Sequence, residues 1–236
     1  MPRRFEELDW QATPLGEIVL RRRVEPTVGV EVHEVKLGDE FLMSSLFTAA
    51  EVELARLGLA RCTADRIDVL VGGLGLGYTA AAALADPRVQ RMVVVEALSP
   101  VIGWHQRTLL PDTAGLATDG RTRLLAGDFF ALIDRDGPIA DGLPDRFDVI
   151  LLDIDHTPDH VLHPSHAHFY TREGLTAMCH HLAPQGIFAL WSDDPPEPNF
   201  LAVLSEVFAD VSAHIVEFAN PLTGGQSANT VYLASR

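Results

Sequence analysis

The sequence has little cysteine, few aromatic residues and a shortage of positive charge. Two cysteines, Cys62 and Cys179, stand far apart and outside any CxxC pair, which excludes a disulfide framework and a zinc ribbon. Lysine and arginine number 18 against 33 acidic residues, a formal charge of −15. This excess repels nucleic acid and anionic lipid, so neither is an expected partner.

Long hydrophobic runs are also missing. No apolar stretch approaches the roughly 18 residues of a membrane-spanning helix. The segment from Met1 to Glu7 lacks the apolar core of a signal peptide, so we expect a cytoplasmic protein. The 236 residues, 47% hydrophobic and 22% charged, have the composition of a globular protein with one main domain and a small appendage.

The amino-terminal part predicts a small antiparallel β domain over residues 1–46. Segments 17–23, 28–35 and 41–45 carry β-branched residues and are separated by turn signals. Apolar residues then recur at helical spacing over 48–59, with Thr48 as the N-cap and Glu51 three positions later. That helix opens a second domain over 47–236.

Short apolar runs alternate with helical segments in this second domain, which predicts an α/β fold with a parallel sheet covered on both faces. No helical segment separates the last two apolar runs, so they predict a closing antiparallel hairpin. The predicted strands span 67–71, 92–96, 122–125, 148–153, 187–191, 213–218 and 230–234. The predicted helices span 78–84, 101–110, 129–133, 170–182 and 200–208.

A glycine-rich loop follows the first strand of this domain. Glycines without a Cβ let a nucleoside cofactor approach the backbone and permit positive φ. The next strand ends at Glu96, about 20 residues further on, where such folds bind ribose hydroxyls. Together these features predict a nucleoside cofactor site. Its glycines are Gly72, Gly73, Gly75 and Gly77.

Asp128 follows the third strand, between Gly127 and Phe129. A carboxylate there is suited to accept a hydrogen bond from the exocyclic amine of adenine. This favours S-adenosylmethionine over a nicotinamide cofactor. Asp128 is also a good N-cap for the following helix, and the two roles are compatible.

Asp153 and Asp155 close the fourth strand. Ligands of parallel sheets bind beyond the carboxyl ends of the strands, so both aspartates are predicted to face the cleft of the glycine-rich loop. A carboxylate there is able to steer a cationic amine or to remove its proton as it attacks. Both are therefore candidate catalytic residues, although Asp155 also suits a solvated loop.

The loop after this strand is rich in histidine. Its spacings fit neither HExxH nor a zinc finger, and two prolines favour an irregular lid, so we predict no metal site. The fifth strand ends in Trp191, which either lines the acceptor side of the cleft or belongs to a solvated strand end. The histidines of the loop are His156, His160, His163, His166 and His168.

These segments together resemble the spermidine synthase family, the polyamine aminopropyltransferases and their methyltransferase-fold relatives. The resemblance covers roughly 15–236. It implies a small amino-terminal β domain, a seven-stranded Rossmann-like domain, a homodimer and polyamine biosynthesis. It rests on segments 69–77, 94–96, 127–128, 147–153, 168–170 and 221–226.

The resemblance also implies roles for single residues. Glu96 would bind the ribose, Asp128 the adenine, and Asp153 would assist deprotonation of the attacking amine. His156 and Tyr170, with Trp191, are candidate substrate-binding residues in the lid and at the acceptor side.

The chain departs from the family pattern at the amine sites. The family has an aspartate where Gly75 stands, and the second aspartate of its lid motif corresponds to His156. Its amino-terminal glutamine and tyrosine fall near Leu42 and Glu51. The loss of the aspartate at 75 slightly favours ordinary S-adenosylmethionine, or a different amine.

The sequence thus predicts a transferase that uses S-adenosylmethionine or decarboxylated S-adenosylmethionine to move an aminopropyl or methyl group to a small acceptor, an amine. Two alternatives stay open. One is an NAD-dependent oxidoreductase, although no Tyr-xxx-Lys pair supports hydride transfer. The other is a catalytically silent nucleoside-binding scaffold.

Overall fold

The structure is a computed structural model that describes residues 5–236, so the first four residues of the predicted amino-terminal domain lie outside the described part. The strands are β1 Phe5–Thr13, β2 Gly16–Val24, β3 Glu31–Leu37, β4 Glu40–Ser44, β5 Ile67–Gly72, β6 Val89–Glu96, β7 Thr122–Ala126, β8 Phe147–Leu152, β9 Leu182–Ser192, β10 Asp210–Asn220 and β11 Gly225–Ser235. The helices are α1 Ala49–Arg61, α2 Tyr78–Leu84, α3 Ser99–Gln106, α4 Phe129–Ile133, α5 Arg172–Met178 and α6 Pro198–Val207.

These strands form two sheets. β1 to β4 make a four-stranded antiparallel sheet in chain order. The second sheet has seven strands in the order β10-β11-β9-β8-β5-β6-β7, in which β11 alone runs antiparallel to its two neighbours, β10 and β9, and the other neighbouring pairs are parallel. The predicted fold class, a seven-stranded Rossmann-like domain with a small antiparallel β domain before it, is confirmed. The domain boundary at residue 46 stays a prediction.

Two hydrophobic clusters cover the two faces of the large sheet. One contains Leu54 of α1 and Trp104 of α3, and it extends to Ile18 and Val35 of the small sheet. The other lies under α4, α5 and α6. Because the small sheet shares a cluster with the large one, burial of apolar surface holds the two sheets together.

Local differences from the predicted elements have physical causes. β1 was not predicted, because Phe5–Thr13 is mostly polar, and its pairing with β2 supplies the backbone hydrogen bonds that stabilise it. Thr48 precedes α1 without a side-chain capping bond. The helix predicted over 170–182 is interrupted, because Thr171 caps a new start at Arg172–Met178.

The position of β5 in the large sheet indicates where a ligand would bind. β5 lies between β6 and β8, so the chain leaves β5 at the point where the crossovers turn to opposite sides of the sheet. Ligands of such sheets bind in the crevice at this point.

Within residues 5–236, no helix is long and apolar enough to cross a membrane.

Candidate functional site

The glycine-rich loop connects β5 to α2 and is packed closely from both sides. Gly73 has φ +89°, and a Cβ there would collide with the carbonyl oxygen of Asp153. Gly77 has φ +88°, and a Cβ there would lie 2.6 Å from the His105 ring. The loop therefore needs glycine both for its backbone conformation and for the approach of its neighbours. Gly72 ends β5, and a Cβ there would meet Phe129 and Leu152 at 2.8 Å.

Glu96 ends β6 and binds the backbone of this loop. Its Oε2 accepts from the Leu74 N–H at 3.0 Å and the Gly75 N–H at 3.4 Å, and its Oε1 accepts from the Leu98 N–H at 2.8 Å. Burial raises the pKa of Glu96, and these backbone donors oppose the rise. The Ala97 N–H is a fourth backbone group that lowers this pKa, so backbone donors face all of the roughly four acceptor positions of the carboxylate, and the predicted ribose contact stays a prediction.

Asp128 lies at the end of β7, and it caps α4. Its Oδ1 accepts from the Phe130 N–H at 3.0 Å and the Ala131 N–H at 3.2 Å. Its second oxygen has no hydrogen-bond partner among residues 5–236, and the side chain is exposed. A hollow of about 130 Å³ adjoins it, with Phe130, Ser165 and His168 in its wall. The cap is observed, and the predicted adenine contact stays a prediction.

Asp153 follows β8, on the other side of the glycine-rich loop. Its backbone N–H donates to the Gly72 carbonyl at 2.9 Å, which ties the two strand ends together. Its Oδ2 accepts from the Thr79 hydroxyl at 2.7 Å. The side chain is only partly exposed, and burial raises the pKa of Asp153 to about 6, against the opposing hydrogen bond from Thr79.

Glu51 of α1 is a site residue that the sequence analysis did not select. Its backbone carbonyl lies 3.3 Å from the Thr79 hydroxyl. Burial, followed by the negative charges of Asp153 and Asp193, raises the pKa of Glu51 to about 8. Its position three residues after Thr48 indicates a helix-capping role, whereas the family resemblance places it near the tyrosine of the amine site. The packing of α1 on the sheet brings it close to Asp153.

Asp153 and Asp193 lie close enough to Glu51 for their negative charges to raise its pKa. None of the ion pairs among residues 5–236 includes any of the three. Asp193 follows β9, and its Oδ1 accepts from the Asn229 side-chain amide at 2.6 Å. The negative charges of Asp153 and Asp193 disfavour ionisation of Glu51, and a bound cation relieves that cost. This part of the cleft therefore suits a protonated amine.

Asp155 has a different environment from Asp153. Its carboxylate is buried and accepts from the Leu162 N–H at 2.7 Å, from His166 Nδ1 at 2.8 Å and from the Tyr170 hydroxyl at 2.8 Å. The His166 ring stacks on Phe130 with 4.1 Å between ring centroids. Asp155 thus fastens the histidine-rich lid, and its predicted catalytic role stays a prediction.

The three candidate substrate residues lie at different depths. Tyr170 is buried, and both burial and Asp155 raise its pKa well above the ordinary value. His156 is partly exposed, and its carbonyl accepts from the Asp193 N–H at 2.8 Å. Trp191 lies partly buried in β9, and its indole Nε1 has no partner among residues 5–236. The structure thus brings His156 and Trp191 near Asp193, and it places Tyr170 in the lid network.

The lid histidines do not gather around one point. No group of three or more His, Cys, Asp or Glu side chains within residues 5–236 has the arrangement of a metal site. His166 is engaged with Asp155, His163 contacts the Ser165 hydroxyl at 2.7 Å, and the His156 and His160 rings lie 5.1 Å apart.

Comparison with curated proteins finds a similar sequence. The chain is 29% identical over 153 residues to polyamine aminopropyltransferase 2 of Pseudomonas aeruginosa. The match covers 62% of this chain and 41% of the relative, so it spans less than half of that protein's length. No protein-family model matches the chain.

Solved structures share the fold. Spermidine synthase from Thermotoga maritima superposes with a TM-score of 0.73 and 18% identity, covering 97% of this chain and 72% of that one. A spermidine synthase in complex with the transition-state analogue AdoDATO gives a TM-score of 0.72 at 17% identity, with the same coverage. A probable spermidine synthase from Corynebacterium glutamicum gives 0.65 at 17% identity, covering 98% and 79%. The resemblance drawn from the motifs is confirmed.

Proposed function

We propose that this spermidine synthase-like chain is an aminopropyltransferase that moves the aminopropyl group of decarboxylated S-adenosylmethionine to a small amine. One observation supports this most directly: the partly buried carboxylate of Asp153 lies beside the glycine-rich loop, close to Glu51, and forms no ion pair within residues 5–236. The names of the similar proteins favour aminopropyl transfer over methyl transfer and over hydride transfer.

The residues around the loop fit an adenosine group. Asp128 has an exposed oxygen for the adenine amine, and Glu96 ends β6 beside the loop, where the ribose is expected. Gly73 lets the Asp153 backbone pack against the loop, which fixes the loop beside the end of β8. The bound donor would supply an electrophilic carbon next to a sulfonium.

Asp153 would act on the acceptor. A protonated amine is not a nucleophile, so the attacking nitrogen must lose a proton before or during N–C bond formation. The nitrogen lone pair forms the new bond as the C–S bond breaks, methylthioadenosine leaves, and the proton passes to Asp153. A carboxylate whose pKa is raised towards neutral is a better proton acceptor than an ordinary aspartate.

The same charges favour the decarboxylated donor. Ordinary S-adenosylmethionine carries a carboxylate on its tail, and the negative charges of Asp153 and Asp193 would repel it. These charges therefore oppose the slight preference for ordinary S-adenosylmethionine that the glycine at 75, in place of the family's aspartate, indicates. Met43 occupies that space instead, since a Cβ on Gly75 would lie 2.8 Å from its sulfur.

The test is to identify the product. The protein is incubated with each donor and a panel of diamines and polyamines, and mass spectrometry distinguishes methylthioadenosine from S-adenosylhomocysteine. We expect methylthioadenosine and an aminopropylated amine, with a loss of about 100-fold or more in kcat for Asp153→Asn. The nucleoside that copurifies with the protein gives an independent reading of the cofactor class.

Other outcomes identify the alternatives. Binding of neither donor by calorimetry contradicts the proposal. Binding of NAD supports the oxidoreductase, and tight binding of a donor without product supports the silent scaffold.

We also propose that the protein acts in polyamine biosynthesis in the cytoplasm as a homodimer, as the family resemblance implies. Phe5, Trp10 and Phe41 of the small sheet are about half exposed, which is costly for large apolar side chains in a monomer. Sedimentation equilibrium checks this, and a mass of 25.8 kDa at micromolar concentration contradicts the dimer.

A further inference from the structure

We propose that Thr79 is a positioning residue for Asp153, whose hydroxyl holds the carboxylate towards the acceptor amine in both of its protonation states. This inference rests on the proposed function, in which Asp153 accepts the proton of the attacking amine. Thr79 itself touches neither donor nor acceptor in this scheme.

The geometry places one hydroxyl between two acceptors. Thr79 is 3% exposed, in the first turn of α2, and its oxygen lies 2.7 Å from Asp153 Oδ2 and 3.3 Å from the Glu51 carbonyl oxygen. A hydroxyl has one hydrogen and two acceptor positions, so it is able to donate to only one of these atoms at a time.

This arrangement matches the proton change that the reaction requires. While Asp153 is ionised, the Thr79 hydroxyl donates to Oδ2. Once Asp153 has taken the amine proton, the hydroxyl is able to accept a hydrogen bond from the carboxylic acid and to donate to the Glu51 carbonyl. Rotation about the Thr79 Cβ–Oγ1 bond therefore satisfies both states without moving a heavy atom.

The sequence of α2 makes this hydroxyl unusual. The helix reads Tyr-Thr-Ala-Ala-Ala-Ala-Leu, so Thr79 is its only hydroxyl apart from the phenol of Tyr78, which donates to Asp112 at 2.7 Å. Alanine or valine would fill an apolar helix face without the cost of burying a polar group. A buried hydroxyl is retained at low cost only when it has a partner, and Asp153 is that partner.

The surroundings of Asp153 make a neutral donor effective. The charged group closest to Asp153 is Glu51 of α1, and Asp193, at the end of β9, acts on Glu51 in turn. Both groups are acidic. Thr79 is therefore the group that opposes the rise in the pKa of Asp153. Removing its hydroxyl should raise that pKa further, by about one unit, because hydrogen bonds to charged groups are stronger than those to neutral ones.

The experiment compares Thr79→Val, which keeps the shape of the side chain, with Thr79→Ser, which keeps the hydroxyl. The pKa of Asp153 is measured in the full chain by carboxyl carbon NMR, with the signal assigned through Asp153→Asn. We expect Thr79→Val to raise it by about one unit and Thr79→Ser to leave it within about 0.3 units of wild type. The control is Thr122→Val, since the Thr122 hydroxyl is buried without a partner in the described part of the chain.

Activity gives a second readout. The acidic limb of the kcat/KM profile should move to higher pH by the same amount in Thr79→Val, with about tenfold less activity on that limb and near recovery above it. Thr79→Ser should restore the wild-type profile. An unchanged Asp153 pKa in Thr79→Val, or equal effects of valine and serine, overturns the inference.

Failure of the proposed function is recognised separately. If the wild-type protein forms no aminopropylated product, that function fails whatever the NMR titration shows. If the wild type turns over and the pKa of Asp153 does not respond to Thr79→Val, the positioning role alone fails. Circular dichroism of each variant excludes loss of folding as the cause of either result.

Discussion

Glu51 and Asp153 lie close together, and the pKa values of both carboxyl groups are raised. Burial is the main cause of both raised values, and the negative charge of Asp153 raises the pKa of Glu51 further. At neutral pH Glu51 is mainly protonated in the folded protein, whereas an unfolded glutamate is ionised. The folded state thus binds more protons than the unfolded state between the ordinary glutamate pKa and about 8.

This difference predicts how Glu51→Gln changes stability. A carboxyl group with a raised folded-state pKa stabilises the fold fully below its unfolded pKa, and the effect is lost as pH rises through the folded pKa. Glutamine does not titrate, so the Glu51→Gln variant does not lose stability in this way as the pH rises. We expect its free energy of unfolding relative to wild type to increase by about 1 to 2 kcal/mol between pH 5 and pH 8, after allowance for partial exposure and the shared charge.

Urea denaturation at the two pH values measures this difference. Glu53→Gln on the same helix serves as the control, because its carboxylate is paired with Arg56 instead of facing Asp153. A pH-independent difference between Glu51→Gln and wild type would show that Glu51 does not hold its proton.

Single residues at the site were predictable where a strand end or a loop fixes their place. Glu96, Asp128 and Asp153 end three parallel strands, so the sheet alone brings them to one edge. Glu51 and Thr79 were not predictable in the same way. They lie on two helices, and their contact with Asp153 depends on how α1 and α2 pack over the sheet.

At the scale of elements, the small sheet contains a buried ion pair network. Glu34 of β3 is 2% exposed, and it pairs with Arg21 and Arg23 of β2, each at 2.7 Å. The three arginines at 21–23 would suggest a basic surface from the sequence alone. Cross-strand ion pairs with Glu6 and Glu34 neutralise this positive charge.

Glu34→Ala should therefore destabilise the protein, because it leaves two arginines without their shared partner. We expect a loss of about 2 kcal/mol in the free energy of unfolding, less than for a fully buried pair, because both arginines are partly exposed and Arg23 keeps Glu25 as a partner. Urea denaturation monitored by circular dichroism measures it. Glu31→Ala is the control, since Glu31 is exposed and lies 3.8 Å from Arg22, and it should cost less than about 1 kcal/mol. Equal losses in the two variants would argue against the buried network.

The lid is a second element with its own anchor. Asp155 accepts three hydrogen bonds from the segment 162–170, so Asp155→Asn should release that segment locally. We expect amide hydrogen exchange in 156–170 to become about 10- to 100-fold faster, with smaller changes elsewhere. Tyr170→Phe removes one of the three donors and should have a smaller effect.

His168→Ala is the control for the lid, because that side chain is exposed and outside the Asp155 network. Exchange that is unchanged in Asp155→Asn would mean that the lid is held instead by the aromatic contacts of its residues with Phe130.

The elements themselves were predictable to different degrees. Alternating apolar runs identified the parallel strands, since burial on both faces leaves a continuous hydrophobic signal. β1 lacks this signal, because it is polar and depends on its partner strand. The lid segment Pro164–Tyr170 was predicted as loop up to residue 169, whereas it forms a 3-10 helix. Its side chains contact Asp155 and Phe130, which are distant in sequence.

At the scale of the whole molecule, the strand order could not be read from apolar periodicity. Alternation predicts a parallel sheet without saying which strand neighbours which, and the family resemblance supplied the seven-stranded arrangement. The order observed places β5 at the centre of the site, between β6, which carries Glu96, and β8, which leads to Asp153. Donor and acceptor groups can then meet from opposite sides of one loop.

The net charge of the whole chain bears on how a polyamine would reach this site. A formal charge of −15 creates a negative field around the molecule, and the negative charges of Asp153 and Asp193 in the cleft add to it. A diamine with two positive charges should be attracted over distances of about one Debye length, about 10 Å at 0.1 M salt. Salt should weaken this attraction without changing the chemical step.

We therefore expect the KM for a diamine acceptor to rise about three- to tenfold between 20 mM and 200 mM NaCl, with kcat within about twofold. Steady-state kinetics at fixed pH and saturating donor measures both constants. Potassium chloride at matched ionic strength is the control for specific ion effects, because screening depends on ionic strength alone. A KM that is independent of salt would mean that the acceptor binds as an uncharged molecule or through apolar contacts, and the carboxylates of the cleft would then need another explanation.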